Sequence, residues 1–298
     1  MTAVASMVPT AVLAEIGDLK RIRTADAPGS LAERGFLRAW GALLAGADVQ
    51  QLALHETGRA LAATRLAGID ARVLRDGGLS GERAVAVMRQ TVRQVAARAH
   101  PAIADAAASA VGDEQPSGGP PAFAPRLCAQ PRAGRPLPGD RALQLEPAES
   151  HGDHCFVVAI YAVLLATDHD ADPASCFLSG LSHHLHNAYL PDAGFAGEQQ
   201  LAADLEPVVG AFREHALEEL PLGLRERVRA VAEHALEIAT PEGRAVVAAD
   251  VLDRVLQMQH HARAAAFEIG QALDELELVH PGPLQAYGNE TLAAAGLP

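Results

Sequence analysis

The sequence has few aromatic residues and few cysteines. Aromatic side chains make up 4% of its 298 residues, while hydrophobic residues as a whole reach 49%. Because strands favour aromatic and β-branched residues, and helices favour residues such as alanine and leucine, this bias predicts an almost all-α protein with a sizeable core. The three cysteines show no C-x-x-C spacing, which predicts a reducing compartment rather than a disulfide framework.

The chain also lacks a basic excess, a secretion signal and an apolar run of membrane-spanning length. Its 24 basic and 37 acidic residues give a formal net charge of −13, which argues against a nucleic-acid polymer as partner. The N-terminus has no basic start followed by an apolar run and a cleavage site. We therefore expect a cytoplasmic protein with a small-molecule substrate and no membrane contact. The acidic, alanine-rich helices leave a homodimer open.

Proline and glycine concentrate in one segment near the middle of the chain. They recur so often over residues 112–147 that a continuous helix is excluded, and structureless segments of this length are uncommon inside a compact domain. We predict an N-terminal helical domain over residues 1–111, a Pro/Gly-rich linker over 112–147 and a second helical bundle over 148–298. A long surface excursion of a single domain is the alternative.

The first half shows helical patterns and no chemistry that we can name. Ser30 and Glu33 match a capping box, in which each side chain satisfies a backbone N–H at the start of a helix. His55 and Glu56 are adjacent, and neighbours on a helix do not share a face. We therefore expect this pair to have a structural or solvent-facing role.

The second half holds most of the histidines, since ten of the 13 lie between residues 151 and 261. His154 comes early on one predicted helix, and His183 and His184 end the next one. Helix packing can bring side chains that are remote in sequence to one cation, where each imidazole offers a neutral nitrogen. The pattern therefore indicates a metal site.

Asp250 is the carboxylate that fits such a site best. It lies within a long predicted helix and follows the apolar run from Val246 to Ala249. An isolated buried carboxylate is unstable as an anion, so it favours a cation or several hydrogen bonds. Arg254, one helical turn later, offers a salt bridge as the alternative.

Three segments together resemble the HD-domain superfamily of helical, metal-dependent enzymes. The segment from Glu149 to His154 and the apolar run after it resemble the first ligand helix, Ser-His183-His184 resembles the central motif, and Ala-Ala-Asp250 resembles the final aspartate helix. The resemblance covers about residues 145 to 275 and implies an HD-like helical bundle. It also implies a divalent transition metal (Mn, Co, Ni, Zn or Fe) held by His154, His183, His184 and Asp250.

Two positions depart from the family's pattern. The aspartate of the His-Asp pair falls on His184, which can ligate one ion but cannot bridge two as a carboxylate does. Asn187 stands where nucleotidase-like members carry a catalytic glutamate, and an amide takes no proton from water at neutral pH. These changes argue against a conventional dinuclear centre and against nucleotidase activity by that route. Asp192 and Glu198, which are close in sequence, are the candidates for the missing base.

Further residues are candidates around this site. His215 and His234 fall where two-metal members of the superfamily place extra histidine ligands, although polar positions on amphipathic helices explain them equally well. His186, Tyr189 and Glu149 are candidates for orienting the ligands or facing the substrate.

The remaining histidines of the second half are expected to lie outside the site. We predict that His151 and His169 are surface or loop residues. His260 and His261 are on the predicted helix of Asp250 but nearly three turns away, or about 15 Å along the axis.

The leading functional hypothesis is a metal-dependent HD-type phosphohydrolase acting on a nucleotide or a small phosphate ester. An HD-type iron-dependent oxygenase is the first alternative, in which His215 and His234 join the other ligands. A catalytically degenerate HD fold, used as a ligand-binding or signalling module, is the second, because fold alone does not establish activity.

Overall fold

Helices make up almost all of the structure. The computed structural model describes residues 8–97, 101–133, 135–137, 141–143, 148–234, 237–265, 270, 273, 279 and 282–297. The sheet within these residues is one antiparallel hairpin of β1 (Arg135–Leu137) and β2 (Arg141–Leu143), in which Arg135 pairs with Leu143. The all-α fold class predicted from composition is confirmed.

Fourteen α-helices follow one another along the described residues, and four short 3₁₀ turns lie between them. The helices are α1 (Thr10–Gly17), α2 (Leu31–Leu44), α3 (Val49–Leu66), α4 (Ala71–Asp76), α5 (Gly81–Ala96), α6 (Pro101–Ala110), α7 (Phe123–Ala129), α8 (His151–Leu165), α9 (Pro173–Ser182), α10 (Gly194–Leu201), α11 (Leu205–Leu217), α12 (Leu222–His234), α13 (Pro241–Ala265) and α14 (Gln285–Ala294). The 3₁₀ turns are Asp18–Lys20, Ala166–His169, Leu185–Ala188 and Ala202–Asp204. No helix within the described residues is both long and apolar enough to cross a membrane.

Helices α2 and α8 both begin with a capping box, and the two capping boxes contact each other. The Ser30 hydroxyl accepts the backbone N–H of Glu33, whose carboxylate accepts the N–H of Ser30, which confirms the predicted box. Ser150 and Asp153 form the equivalent box on α8. The Ser30 hydroxyl also donates a hydrogen bond to the Asp153 carboxyl group, whose pKa is raised to about 7 by burial and by the nearby Glu33. One hydroxyl thus joins the start of α2 to the start of α8.

Helix α8 lies at the centre of the molecule. All of its residues are buried, and α2, α7, α9 and α13 pack around it. Gly35 on α2 leaves no space for a side chain, because a Cβ there would collide with the ring of Phe156 on α8. The buried apolar side chains of the described residues form one cluster, whose members range along the chain from Val8 to Leu292. The helices of the first half therefore share one core with those of the second.

The predicted linker contains an ordered, buried piece. Phe123 and Leu127 on α7 are fully buried, and the ring of Phe123 packs edge-on against Trp40 of α2 with 4.8 Å between centroids. The boundaries at residues 111 and 147 stay a prediction. The contacts of α7 indicate that the segment between them helps to hold the two halves together.

Candidate metal centre

The close crossing of α8 and α9 brings the first two histidines together. Gly180 makes this approach possible, because a Cβ on it would lie 2.5 Å from the Cα of Ala159 on α8. Helix α9 ends two residues later, and His183 follows it as the C-cap. Its ring centroid lies 5.0 Å from that of His154, and the two Nε2 atoms are 3.1 Å apart.

The proton on His154 is placed by a buried carboxylate. Its Nδ1 lies 2.7 Å from Oδ2 of Asp253, so Nδ1 carries a hydrogen and donates it. The other nitrogen, Nε2, faces the Nε2 of His183 and lies 3.2 Å from Oδ1 of Asp250. A carboxylate behind a histidine in this way fixes the tautomer of a metal ligand and makes it more basic.

The tautomer of His183 is fixed in the same sense. Its Nδ1 lies 2.7 Å from the carbonyl oxygen of Gly180, and a carbonyl can only accept a hydrogen bond. Burial, and next the neighbouring His154, lower the pKa of His183 to about 3. The ring is therefore neutral at pH 7, and its Nε2 presents a lone pair to His154.

Asn187 orients the third histidine. Its amide nitrogen donates to the carbonyl oxygen of Leu190 at 3.3 Å, so its oxygen is the end that lies 3.1 Å from Nδ1 of His184. His184 must then donate from Nδ1, which leaves Nε2 as its lone pair. Burial, and next the neighbouring His183, lower the pKa of His184 well below its ordinary value. Asn187 thus acts on a ligand, and the structure gives it no role in moving protons.

The donor set fits a divalent transition metal. His154, His183 and His184 each offer a nitrogen within 4.8 Å of the others, and Oδ1 of Asp250 lies against the same nitrogen of His154. Neutral imidazole and carboxylate are the ligands that such ions take in proteins. Lone pairs that face each other at this distance repel unless a cation lies between them. Asp250 also pairs through Oδ2 with Arg254 at 2.8 Å, so the cation contact and the predicted salt bridge use different oxygens.

Behind His154 lies a buried layer of charges. Asp253 contacts the Lys20 ammonium through Oδ1 at 2.5 Å, and Oε1 of Glu149 lies 2.5 Å from the same ammonium and 3.9 Å from Nδ1 of His154. Burial alone would lower the pKa of Lys20, but Asp253 and then Glu149 raise it above its ordinary value. Of these residues, sequence reasoning placed only Glu149 near the site.

Arg132 is a further cation at this layer. Its side chain is 13% exposed, and its Nη1 lies 4.0 Å from Oε2 of Glu149. Nη1 is buried and makes no hydrogen bond within the described residues. Burial lowers the pKa of Arg132, but the carboxylates of Glu149, Asp250 and Asp253 outweigh it and raise the pKa overall. The guanidinium therefore lies in the field of the site with a donor to spare.

His151 and His169 are buried, so the prediction of surface positions is wrong for both. His151 is 1% exposed and His169 is 8% exposed. His151 is the first residue of the buried helix α8, and its ring centroid lies 4.9 Å from that of His184. The helix start was predicted correctly, but the sequence does not show that the core closes over the first turn.

Asp192 holds His151 in place. One oxygen of Asp192 accepts the backbone N–H of Ala133 at 2.8 Å and lies 3.2 Å from Nε2 of His151, and the other accepts the N–H of Gly194 at 2.9 Å. Burial raises the pKa of Asp192, but the hydrogen bonds from His151 and the two backbone groups lower it far more. A carboxylate stabilised in this way is a weak base. Glu198 is exposed on α10, and within the described residues no hydrogen bond or ion pair joins it to the histidines.

The other predicted site residues lie at the edge of the cluster or beyond it. His186 lies beyond the end of α9, in the 3₁₀ turn Leu185–Ala188, and its ring centroid is 5.7 Å from that of His184. Burial lowers the pKa of His186 to about 4. Its position next to His184 leaves a substrate-facing role open.

Tyr189 and His215 form a separate contact. Tyr189 donates a hydrogen bond to Glu219, and its ring lies 4.4 Å from that of His215 on α11. The His215 side chain is 57% exposed and faces Glu218. The structure does not bring His215 into the groups of metal-ligating side chains found among the described residues. His234 ends α12, and its side chain lies outside the described part of the chain.

Comparison with known proteins gives one match, to a family model described as HD domain, over residues 135–279. No curated protein and no solved structure matches the chain. The matched residues contain α8, α9 and α13, and with them His154, His183, His184 and Asp250. Proteins of this kind form a superfamily of metal-dependent phosphohydrolase type, and they typically bind divalent metals. Through residues 135–279, the chain belongs to the HD domain superfamily.

Proposed function

We propose that this protein is a metal-dependent phosphohydrolase that acts on a nucleotide or a small phosphate ester. The observation that carries the proposal is that ring nitrogens and a carboxylate oxygen, all of them acceptors, face one another with no donor between them. His154 and His183 each give their Nδ1 proton to a fixed acceptor, and their Nε2 atoms then lie 3.1 Å apart beside Oδ1 of Asp250. A divalent ion would turn this repulsion into coordination, with His184 as a further nitrogen ligand.

The bound ion would polarise a phosphoryl oxygen and lower the pKa of a bound water. The chain's own residues hold that arrangement in place. Asp253, the carbonyl of Gly180 and the amide of Asn187 each fix one imidazole, so the ligands need little rearrangement when the ion binds.

Arg132 is the residue that we assign to the substrate's phosphate. A guanidinium presents donors in a planar fork that matches phosphate oxygens. The buried Nη1 of Arg132 has no hydrogen-bond partner among the described residues, and the side chain adjoins Glu149 at the base of the centre. A phosphate group bound to the ion would supply the missing acceptor.

His151 is the base that we assign in place of Asn187. The low pKa of Asp192 keeps that carboxylate ionised, so it accepts the Nε2 proton of His151. Nδ1 of His151 then carries the lone pair, and it is buried without a partner within the described residues. A carboxylate that orients a histidine in this way fixes its tautomer, so Nδ1 is the nitrogen that would take the proton. Burial lowers the pKa of His151, and the hydrogen bond to Asp192 opposes this shift. Asp192 contributes through His151 rather than as the base itself.

The iron-dependent oxygenase gains no support from the described residues. That alternative needs His215 as a further ligand, and the exposed side chain of His215 faces Glu218 and Tyr189 instead. The degenerate binding module is the outcome that would remain if the protein held no metal.

The first test is the metal content of the protein, purified without added metal or chelator, by elemental mass spectrometry. We expect near-stoichiometric metal in the wild type and its loss in His183→Ala and Asp250→Ala. His215→Ala is the matched control, because it removes an imidazole outside the cluster and is expected to keep the metal. Wild-type protein that folds but takes up no manganese, cobalt, nickel, zinc or iron would overturn the proposal.

The second test is phosphate release from nucleoside 5′-monophosphates and p-nitrophenyl phosphate. We expect activity that follows the metal content across these variants. His151→Gln should keep the metal and lower kcat by about 10²–10⁴, which is the usual contribution of a general base. Full activity in His151→Gln would show that the proton goes elsewhere.

A further inference from the structure

Lys20 is a buried cation that the proposed function leaves unused. It ends the 3₁₀ turn after α1, in the first half of the chain, yet its side chain is only 3% exposed. Its ammonium lies 2.5 Å from Oε1 of Glu149 and 2.5 Å from Oδ1 of Asp253. Lysines are rarely buried to this extent unless they are paired.

The position of this ammonium coincides with a second set of potential metal ligands. Glu149, His154 and Asp253 offer one atom each within 4.8 Å of one another, separately from the three-histidine group. His154 belongs to both sets: Nε2 faces the three-histidine set, and Nδ1 faces the second set, where its hydrogen goes to Asp253 and leaves no lone pair for an ion. When two groups of ligands are adjacent and share a residue, they can hold two cations side by side.

An ammonium can fill one of these positions. It is a compact charge with three donors, and here it contacts both carboxylates of the second set. The three-histidine set points the same way, because the imidazole of His184 can ligate one ion but cannot bridge two as a carboxylate does. The charge of the Lys20 ammonium and the ligands of the three-histidine set both favour a single metal ion, on the Nε2 side of His154.

The same ammonium controls the orientation of a ligand. Asp253 uses Oδ1 for Lys20 and Oδ2 for Nδ1 of His154. With Oδ1 held, Oδ2 is fixed in the position that accepts the imidazole proton. The chain of contacts from Lys20 through Asp253 to His154 therefore links the N-terminal segment to the metal ligand.

We infer that Lys20 is a positioning residue of the metal centre, whose ammonium takes the place of a second metal ion and holds Asp253 against His154. The centre then binds one divalent ion, and the segment that follows α1 is part of it. The inference rests on the proposed metal site. A purely structural role, in which Lys20 only ties the N-terminal segment to α13, is the competing explanation.

The experiment compares wild type, Lys20→Met and Lys20→Arg by equilibrium dialysis with Mn²⁺ and Zn²⁺. We expect one ion per wild-type chain and a Kd about 10- to 100-fold higher in Lys20→Met, which is the usual effect of losing a group behind a metal ligand. Lys20→Arg keeps the charge and should recover part of the affinity. Arg23→Met is the control, because Arg23 lies in the same segment with a side chain that is 54% exposed.

A double variant keeps the test valid if Lys20→Met fails to fold. Lys20→Met/Glu149→Gln removes one charge of each sign, so the net charge of the buried layer does not change. It should fold and still bind metal more weakly than wild type, because Asp253 has lost its ammonium. Wild-type affinity in the folded double variant and in Lys20→Met, or two tightly bound ions in wild type, would overturn the inference.

A spectroscopic readout separates this inference from the proposed function. Long-range ¹H–¹⁵N spectra of the metal-free protein should show a proton on Nδ1 of His154 that exchanges slowly with water in wild type and faster in Lys20→Met. If Lys20 only tied the N-terminal segment to α13, its replacement would not change the exchange rate of this proton. If wild type binds no metal, the proposed function fails, and the spectra alone still decide whether Lys20 positions His154.

Discussion

Two of the buried polar clusters among the described residues differ in whether donors match acceptors. In the first half, Arg38 donates from Nε and Nη2 to the two oxygens of Glu56 at 3.0 and 2.6 Å, and Nδ1 of His55 lies 3.3 Å from the same carboxylate. In the second half, the Nε2 atoms of His154 and His183 face each other with no donor between them. The first cluster is complete in itself, and the second leaves lone pairs that a metal ion could bind.

The difference distinguishes a cluster with a structural role from the candidate metal centre. Burial would raise the pKa of Glu56, but the guanidinium of Arg38 and the hydrogen bond of His55 lower it far below its ordinary value. His55 and Glu56 are both buried, so of the two roles expected from the sequence the structural one fits and the solvent-facing one does not. Buried charges alone do not mark a site; unmatched acceptors that converge do.

Breaking the first cluster is expected to have the largest effect on stability. Arg38→Met leaves the buried Glu56 without its guanidinium, and removing one partner of a buried ion pair costs about 3–5 kcal/mol. The Arg38 side chain is 38% exposed, so we expect the lower end, about 3 kcal/mol. Urea unfolding of the metal-free protein measures the loss, and the Kd for metal should not change.

The double variant Arg38→Met/Glu56→Gln is the control for this prediction. It removes both charges, so most of the stability should return. A single variant that is no less stable than the double would show that the ion pair is not what the cluster contributes.

Disturbing the second cluster should affect metal binding before stability. Asn187→Leu removes the acceptor that orients His184, and metal should bind about 10- to 100-fold more weakly. Asn187→Asp keeps an oxygen at that position and should retain most of the affinity. Equilibrium dialysis gives the Kd values, and equal affinity in Asn187→Leu and wild type would remove Asn187 from the site.

The two clusters should also lose stability in different pH ranges. The folded-state pKa values of His183 and His186, about 3 and about 4, lie below the ordinary 6.5. The unfolded chain therefore binds more protons as the pH falls below 6.5, and the folded state loses up to ~1.4 kcal/mol per pH unit for each such histidine. The pKa of Glu56 is lowered from 4.5, so its contribution is present above that pH and is lost below it.

Unfolding of the metal-free protein between pH 3.5 and 8 measures both ranges. His183→Asn should flatten the profile between pH 4.5 and 6.5, and Arg38→Met/Glu56→Gln should flatten it below 4.5. Bound metal should reduce the loss of stability between pH 6.5 and 4.5, because it keeps the histidines neutral. A profile that is level from pH 8 to 5 in the metal-free wild type would contradict the assignment of buried, neutral imidazoles.

The sequence predicted the helices and the side chains that converge at the candidate centre better than it predicted their surroundings. Capping signals such as Ser30 with Glu33 are local, so they could be read directly. His154, His183 and Asp250 followed from the family resemblance. Asp253 had a signal that was not used, since it lies three residues after Asp250 and so on a nearby face of α13.

Lys20 and His151 could not be found in the same way. The role of Lys20 depends on the packing of the N-terminal segment against α13, which no local pattern records. His151 lies at a helix start, where a histidine is usually exposed, and its burial depends on the surrounding elements. The contacts that complete this site are tertiary, while the patterns that a sequence shows are mostly local.

The central claim is that the Nε2 atoms of His154, His183 and His184 converge on one metal ion. Long-range ¹H–¹⁵N spectra of the histidine rings, recorded while Zn²⁺ is added to the metal-free protein, test it most directly. We predict that the Nε2 signals of these three residues shift together and reach their end point at one ion per chain, while those of His55 and His215 do not move. Saturation without a shift of these three signals, or a shift centred on His215, would contradict the account.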